Sequence, residues 1–173
     1  MGMSKKGKAM NLYLMRHAIA AESDENTEDS QRALTEKGQM KLTKIASNLE
    51  NLDVKFDLIL TSPYLRTRQT ASVVADALKL KKKCVIESEN LSPLGFADKL
   101  VEEINTVEPV ENLLLIGHEP FLSQLIGVLV VGDASLRINL KKAGLCKLST
   151  EQLTYGRCAT LEWLLTPAQL VAI

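Results

Sequence analysis

Short apolar runs alternate with longer amphipathic stretches along almost the whole chain, and this alternation constrains the fold more than any other feature. Leu12–Met15 and Leu113–Ile116 have no polar face and read as strands buried on both sides. Phe56–Leu60 is a further strand, and Cys84–Ile86 a weaker one. Between them lie patterns of helical period. Thr35 caps a helix on which Leu42, Ile45, Ala46 and Leu49 recur at i, i+3, i+4 and i+7. Ser62-Pro63 opens the next helix, to about Leu78, with Ser62 expected as its cap. Ala97, Leu100, Val101 and Ile104 mark another. Pro120 starts one from Phe121 to about Val131 that is apolar nearly all round. Two late strands, near Leu145–Leu148 and Ala159–Leu165, are joined through a turn at Tyr155-Gly156. Strand–helix–strand alternation predicts an α/β fold: a three-layer sandwich with a mostly parallel central sheet flanked by helices.

The chain has 173 residues, enough for one ordinary domain over residues 11–173, with the polar, basic residues 1–10 as a flexible tail. Lysine plus arginine equals aspartate plus glutamate, at 21 each, so no overall field favours nucleic acid or a membrane surface. No apolar run approaches the roughly 18 residues of a spanning helix. Cys84, Cys146 and Cys158 form no CxxC pair, which argues against a disulfide framework or a zinc site. Buried, inert thiols in a reducing, cytoplasmic setting are the expectation.

Chemistry concentrates at three strand ends, and in open α/β sheets ligands bind beyond the carboxyl ends of the strands. One strand ends in Arg16-His17, one runs into Ser62-Pro63 with Arg66 and Arg68 a turn later, and one ends in Gly117-His118-Glu119-Pro120. The chain has only two histidines, and both follow a buried strand directly. Arg66 falls in register with Thr70, Val73 and Ala77, an inward row, while Arg68 lies off that row and reads as solvated. A buried arginine needs a partner, either a structural carboxylate or a bound phosphate. Two arginines and two histidines converging make an anion site, beside which a neutral histidine can attack phosphorus. The sequence has no GxxxxGK loop, no CX5R loop and no Asp/His cluster with ligand spacing, so no metal and no other cofactor is expected.

These residues resemble a known group. Arg16-His17-Ala18 resembles the RHG signature of the histidine phosphatase superfamily (phosphoglycerate mutase-like), in the RHA form of its small, SixA-like phosphohistidine phosphatases. Arg32-Ala33-Leu34-Thr35-Glu36-Lys37-Gly38 resembles that branch's R-x-L-T-x-x-G segment. Ser62 to Thr70 resembles SP-x-x-R-x-x-QT, and Gly117-His118-Glu119-Pro120 the late histidine motif. The four segments stand in the family order, and the similarity runs from about Asn11 to Leu165. The resemblance implies that His17 is the nucleophile and that Arg16, Arg66 and His118 complete the phosphate pocket. Arg32 would stand at the pocket's edge; its alternative is a loop arginine paired with Asp24, Glu28 or Asp29. Where many members carry an acid before a leucine, this chain has Asn90 before Leu91, leaving Glu89 as a possible acid. Loss of that acid matters least for a leaving imidazole. The implied function is therefore a phosphatase of phosphohistidine on a protein, with a phosphomonoesterase of small metabolites and a non-catalytic phosphate-recognising module as alternatives. The polar loop 21–31 could close over the site.

Overall fold

A computed structural model describes residues 9–173. Six strands form one sheet: β1 (Met10–Arg16), β2 (Leu58–Thr61), β3 (Val85–Glu87), β4 (Asn112–Gly117), β5 (Leu145–Thr150) and β6 (Thr160–Leu165). The helices are α1 (Glu36–Asn48), α2 (Leu65–Ala77), α3 (Ala97–Thr106), α4 (Phe121–Val131) and α5 (Pro167–Ala172). Strand order is β3-β2-β4-β1-β5-β6. The first four are parallel, whereas β5 runs antiparallel to β1 and β6 antiparallel to β5.

Strand alternation divides the core into two layers. Leu12, Leu14, Leu60, Leu113 and Leu115 face one side and pack with Leu100 and Ile104 of α3 and Leu122 and Ile126 of α4. Tyr13, Met15, Ile59, Leu114 and Ile116 face the other and pack with Leu42 and Ile45 of α1 and Ala71 and Val74 of α2. This is the three-layer α/β arrangement that the sequence predicts. α4 is apolar nearly all round and mostly buried in this layer, with Gln124 and Val131 left exposed.

Several boundaries differ from expectation. Met10 is no tail residue: it opens β1 and pairs with Thr150, while residues 1–8 lie outside the described residues. Phe56 precedes β2, because the Asp57 carboxylate accepts the backbone N–H groups of Glu111 and Asn112 and holds a turn at the strand entry. Phe56 is nevertheless buried, edge-on to Tyr13. α5 lies beyond the last expected strand. Its signal was a Thr166-Pro167-x-Gln169 capping box, and its Leu170 closes the α1 side of the core. Only Cys146 is a fully buried thiol, pushed by burial up to about 12; Cys84 and Cys158 are partly exposed, and all three are free. In α2 the buried row runs through Arg66, Thr70, Ala71 and Val74, leaving Val73 and Ala77 half-buried.

The loop from Ala18 to Leu34 is drawn tightly against this frame. Thr35 caps α1 by accepting the Gly38 N–H at 3.0 Å, and its own N–H donates to the Ile19 carbonyl at 2.9 Å. That carbonyl lies so close to Gly38 that a Cβ there would clash with backbone. The glycine of the R-x-L-T-x-x-G segment is thus required by close approach, not by turn geometry. Gly38→Ala is expected to lower unfolding free energy by about 1–3 kcal/mol, read as an earlier denaturant midpoint at unchanged slope.

Candidate active site

Three neighbouring parallel strands bring the site together. β4 lies between β1 and β2, and register places Arg16 beside Gly117 and Thr61 beside Ile116, so their carboxyl ends are level. The His17 N–H donates to the Gly117 carbonyl at 3.1 Å and the Ser62 N–H to the Ile116 carbonyl at 3.0 Å, carrying the ladder to the rim. His17, His118 and Arg66 are then 6%, 2% and 3% exposed. The two imidazole rings are 5.3 Å apart between centroids.

The His17 ring is oriented by one hydrogen bond. Its Nδ1 lies 2.7 Å from the Ala18 carbonyl, an acceptor, so Nδ1 carries the hydrogen. Nε2 is left with its lone pair and accepts from Arg66 Nε at 3.3 Å. Burial lowers the His17 pKa to about 4, opposed by the Ala18 bond and assisted by the charges of Arg66, Arg16 and Lys142. His118 is lowered to about 3, by burial first and then by Arg66 and His17. Both rings are therefore neutral near pH 7.

Arg66 is the hub. Beyond His17, its Nη1 donates to the Asp29 carbonyl at 2.6 Å and its Nη2 to the Asp29 carboxylate at 3.1 Å. Of the two partners the sequence allowed, the structure supplies the carboxylate, and it comes from the 21–31 loop. Arg66 uses three of its five N–H donors in these contacts, which leaves donors for an oxyanion. Its guanidinium also lies over the Tyr64 ring at 5.0 Å, and that ring meets His118 edge-on at 5.0 Å. Arg16 sits on the far side, with Nη1 donating to the Leu140 carbonyl at 3.3 Å. The Ala143 N–H braces that corner by donating to the carbonyls of Arg16 and His17.

Among the described residues, two buried side-chain polar atoms lack a hydrogen-bond partner: Arg16 Nε and His118 Nδ1. Both belong to this pocket. Leaving buried donors unpaired is costly, and a phosphoryl oxygen is the type of acceptor that would satisfy them.

Ser62 is not the helix cap that its Ser-Pro context indicates. α2 begins at Leu65, with Tyr64 at the cap position and no side-chain cap bond. The Ser62 backbone is still engaged with β4, so its hydroxyl meets His118 Nε2 at 2.8 Å and accepts the Tyr64 N–H at 3.3 Å. When Ser62 donates to Nε2, the hydrogen of neutral His118 falls on the unpaired Nδ1; when Ser62 accepts, it stays on Nε2. Arg32 takes the pairing alternative: Nη2 lies 2.6 Å from Asp29 Oδ1 and Nη1 donates to the Ala21 carbonyl. Asp29 thereby joins both readings of Arg32, since it also touches Arg66. Arg68 is exposed and faces Glu87 at 3.7 Å. Glu89 is exposed in a short turn, and Asn90 donates to Glu103 on α3 at 2.8 Å. The carboxylate that meets the pocket is Asp29, whose only sequence signal was membership of an acidic loop three residues before Arg32. Gln69 and Thr70, the QT of the sequence motif, brace that loop by accepting the N–H groups of Leu34 and Ala18.

One pair of histidines and one pair of arginines, gathered at the carboxyl ends of three parallel strands, make a pocket suited to a phosphoryl group. Residues 12–93 match the histidine phosphatase superfamily (branch 1). Over 163 residues the chain is 28% identical to the phosphohistidine phosphatase SixA of Escherichia coli, covering 93% of this chain and 96% of that protein. An uncharacterized Picosynechococcus protein is 37% identical over 141 residues, 80% of this chain and 84% of its own. The solved structure of the protein histidine phosphatase SixA with tungstate matches with a TM-score of 0.79 at 27% identity, over 93% of this chain and 99% of that one. The chain belongs to the histidine phosphatase superfamily, in its SixA-like branch, and is an enzyme of that class.

The neutral rings set a pH signature. In an unfolded chain both histidines titrate near 6.5, against about 4 and about 3 when folded. The unfolded state then binds more protons, so the stability they contribute is complete above about pH 6.5 and is lost as pH falls toward 4 and 3. Imidazole signals in NMR are expected to stay at their neutral shifts down to about pH 5, with chemical stability already declining over that range.

Proposed function

We propose that the protein removes the phosphoryl group from phosphohistidine on a partner protein, carrying it transiently on His17. The observation that supports this best is the His17 ring: neutral, fixed through Nδ1, and presenting its Nε2 lone pair to the guanidinium of Arg66. The relative named for phosphohistidine hydrolysis and the related structure holding tungstate, a tetrahedral oxyanion, support the same substrate shape.

In this reading the phosphoryl oxygens take donors of Arg16 and Arg66 and the N–H of His118. Arg66 Nε turns from His17 Nε2 to a phosphoryl oxygen, the freed Nε2 lone pair attacks phosphorus, and the P–N bond to the substrate ring breaks. The electron pair returns to that ring, which leaves as neutral imidazole because its other nitrogen carries the hydrogen. Water then attacks the phosphorylated His17, the new P–N bond breaks, and inorganic phosphate departs. No carboxyl group occupies the Asn90 position, which favours a leaving group that needs little acid. The Asp29 carboxylate beside Arg66 is what favours the second reading, a phosphomonoesterase of small metabolites working through the same pocket. Three free cysteines fit a cytoplasmic setting.

The test is trapping. Wild type and His17→Ala are mixed with a labelled phosphohistidine protein or with p-nitrophenyl phosphate, quenched in alkali, and assayed for acid-labile label on the enzyme. Label on wild type alone is expected, with turnover falling on the order of 10⁴-fold or more in the variant. Glu89→Gln is expected to act like wild type. Phosphate binding without label or turnover on either substrate would leave only a recognition module. Faster turnover of the ester than of the phosphoramidate would select the second reading.

A further inference from the structure

We propose that Asp29 is the proton acceptor for the water that hydrolyses phosphorylated His17. This rests on the phosphatase reading above and names a group that the sequence comparison left missing.

The hydrolytic half of such a reaction needs a base, and the pocket offers few. His17 is occupied by the phosphoryl group at that stage. His118 is buried, and its Nε2 is held by Ser62. Glu119 is turned to Ser123, bonding its N–H and its hydroxyl, and among the described residues it takes no hydrogen bond from Arg66. Asn90 is an amide turned toward Glu103.

Asp29 meets the geometric requirement. One guanidinium holds both ends of the reaction: Arg66 Nε is 3.3 Å from His17 Nε2, and Arg66 Nη2 is 3.1 Å from Asp29 Oδ2. A phosphoryl group on Nε2 lies against the same guanidinium that holds the Asp29 carboxylate. The Asp29 side chain is 51% exposed, so water reaches it, whereas Arg66 beneath is 4% exposed. Its position is fixed from several sides: Arg66 also holds its carbonyl at 2.6 Å, and Arg32 holds Oδ1 at 2.6 Å. The loop is closed behind it by the Ala21 N–H on the Ala33 carbonyl at 2.8 Å. Each carboxylate oxygen keeps a second lone pair for a water hydrogen.

The charge state fits as well. Burial acts to raise the Asp29 carboxyl, but its bonds to Arg32 and Arg66 outweigh this and hold it below the ordinary carboxylate range. It is ionised when the site is free. A phosphoryl group on Arg66 draws that cation's charge away and raises the proton affinity of Asp29 when the proton must move. In the step, the water oxygen bonds to phosphorus as the Nε2–P bond breaks and its electron pair returns to the His17 ring. The water proton passes to Asp29 Oδ2 and then to solvent.

Rapid-quench kinetics on Asp29→Asn with the labelled phosphohistidine protein tests this. Label should appear on His17 at nearly the wild-type rate and then decay about 10²–10⁴-fold more slowly, so that phosphoenzyme accumulates in the variant. Asp29→Glu should recover part of the decay rate. Equal slowing of formation and decay would overturn the proposal and make Asp29 a positioning group for Arg66. Decay at the wild-type rate or faster would overturn it too, leaving the loop as a cover. Absence of label from wild type itself is a separate signal that would remove the underlying phosphatase reading.

Discussion

A guanidinium buried at the first turn of a helix cannot be left without partners, and Arg66 finds its partners in the other parts of the site. It bonds His17 across 49 residues of sequence and Asp29 across 37. One cation thus ties the strand-tip histidine to the 21–31 loop. Removing a charge from such a position would leave the carboxylate and the ring without their common anchor. The remaining features of the pocket, from Tyr64 beneath the guanidinium to Thr70 beneath its backbone, keep this side chain in place.

The sheet order makes that arrangement possible. β4 is inserted between β1 and β2, so the chain leaves β1, forms α1, and returns two strands away. Both histidines and the start of α2 then share one end of three adjacent parallel strands. Such an order opens a crevice at the carboxyl ends, where connections diverge to opposite faces. α1 and α2 cover one face of the sheet and α3 and α4 the other.

Electrostatics follow from burial inside that crevice. Two imidazoles surrounded by arginines lose the stabilisation that water gives a cation, and the neighbouring positive charges oppose protonation further. The outcome is a pair of neutral rings with different tasks available. The Ala18 carbonyl leaves a lone pair at His17 Nε2, while the Ser62 hydroxyl holds His118 Nε2 and leaves Nδ1 without a partner. The same residue type is held differently in the two places because a single neighbouring oxygen differs.

Much of this was legible in the sequence, and the reason is locality. Strand and helix periods are repeated every few residues, so β1, β4, α1 and α4 are marked by their own side chains. Strand-tip chemistry marked His17, His118, Arg16 and Arg66 as neighbours because parallel strands carry their carboxyl ends to one edge of the sheet. The Thr35 cap is likewise a local bond. The tertiary structure alone decided what depends on distant approach. Ser62 has the local signature of a cap, yet it is drawn to His118, 56 residues away, because β2 and β4 are adjacent. Gly38 is required by the Ile19 carbonyl of another segment. Asp29 was one of three acids open to Arg32, and the fold placed it on both Arg32 and Arg66. Sequence patterns record which face of an element is apolar; they do not record which polar group from another element will meet a buried charge, and in this protein that meeting makes the site.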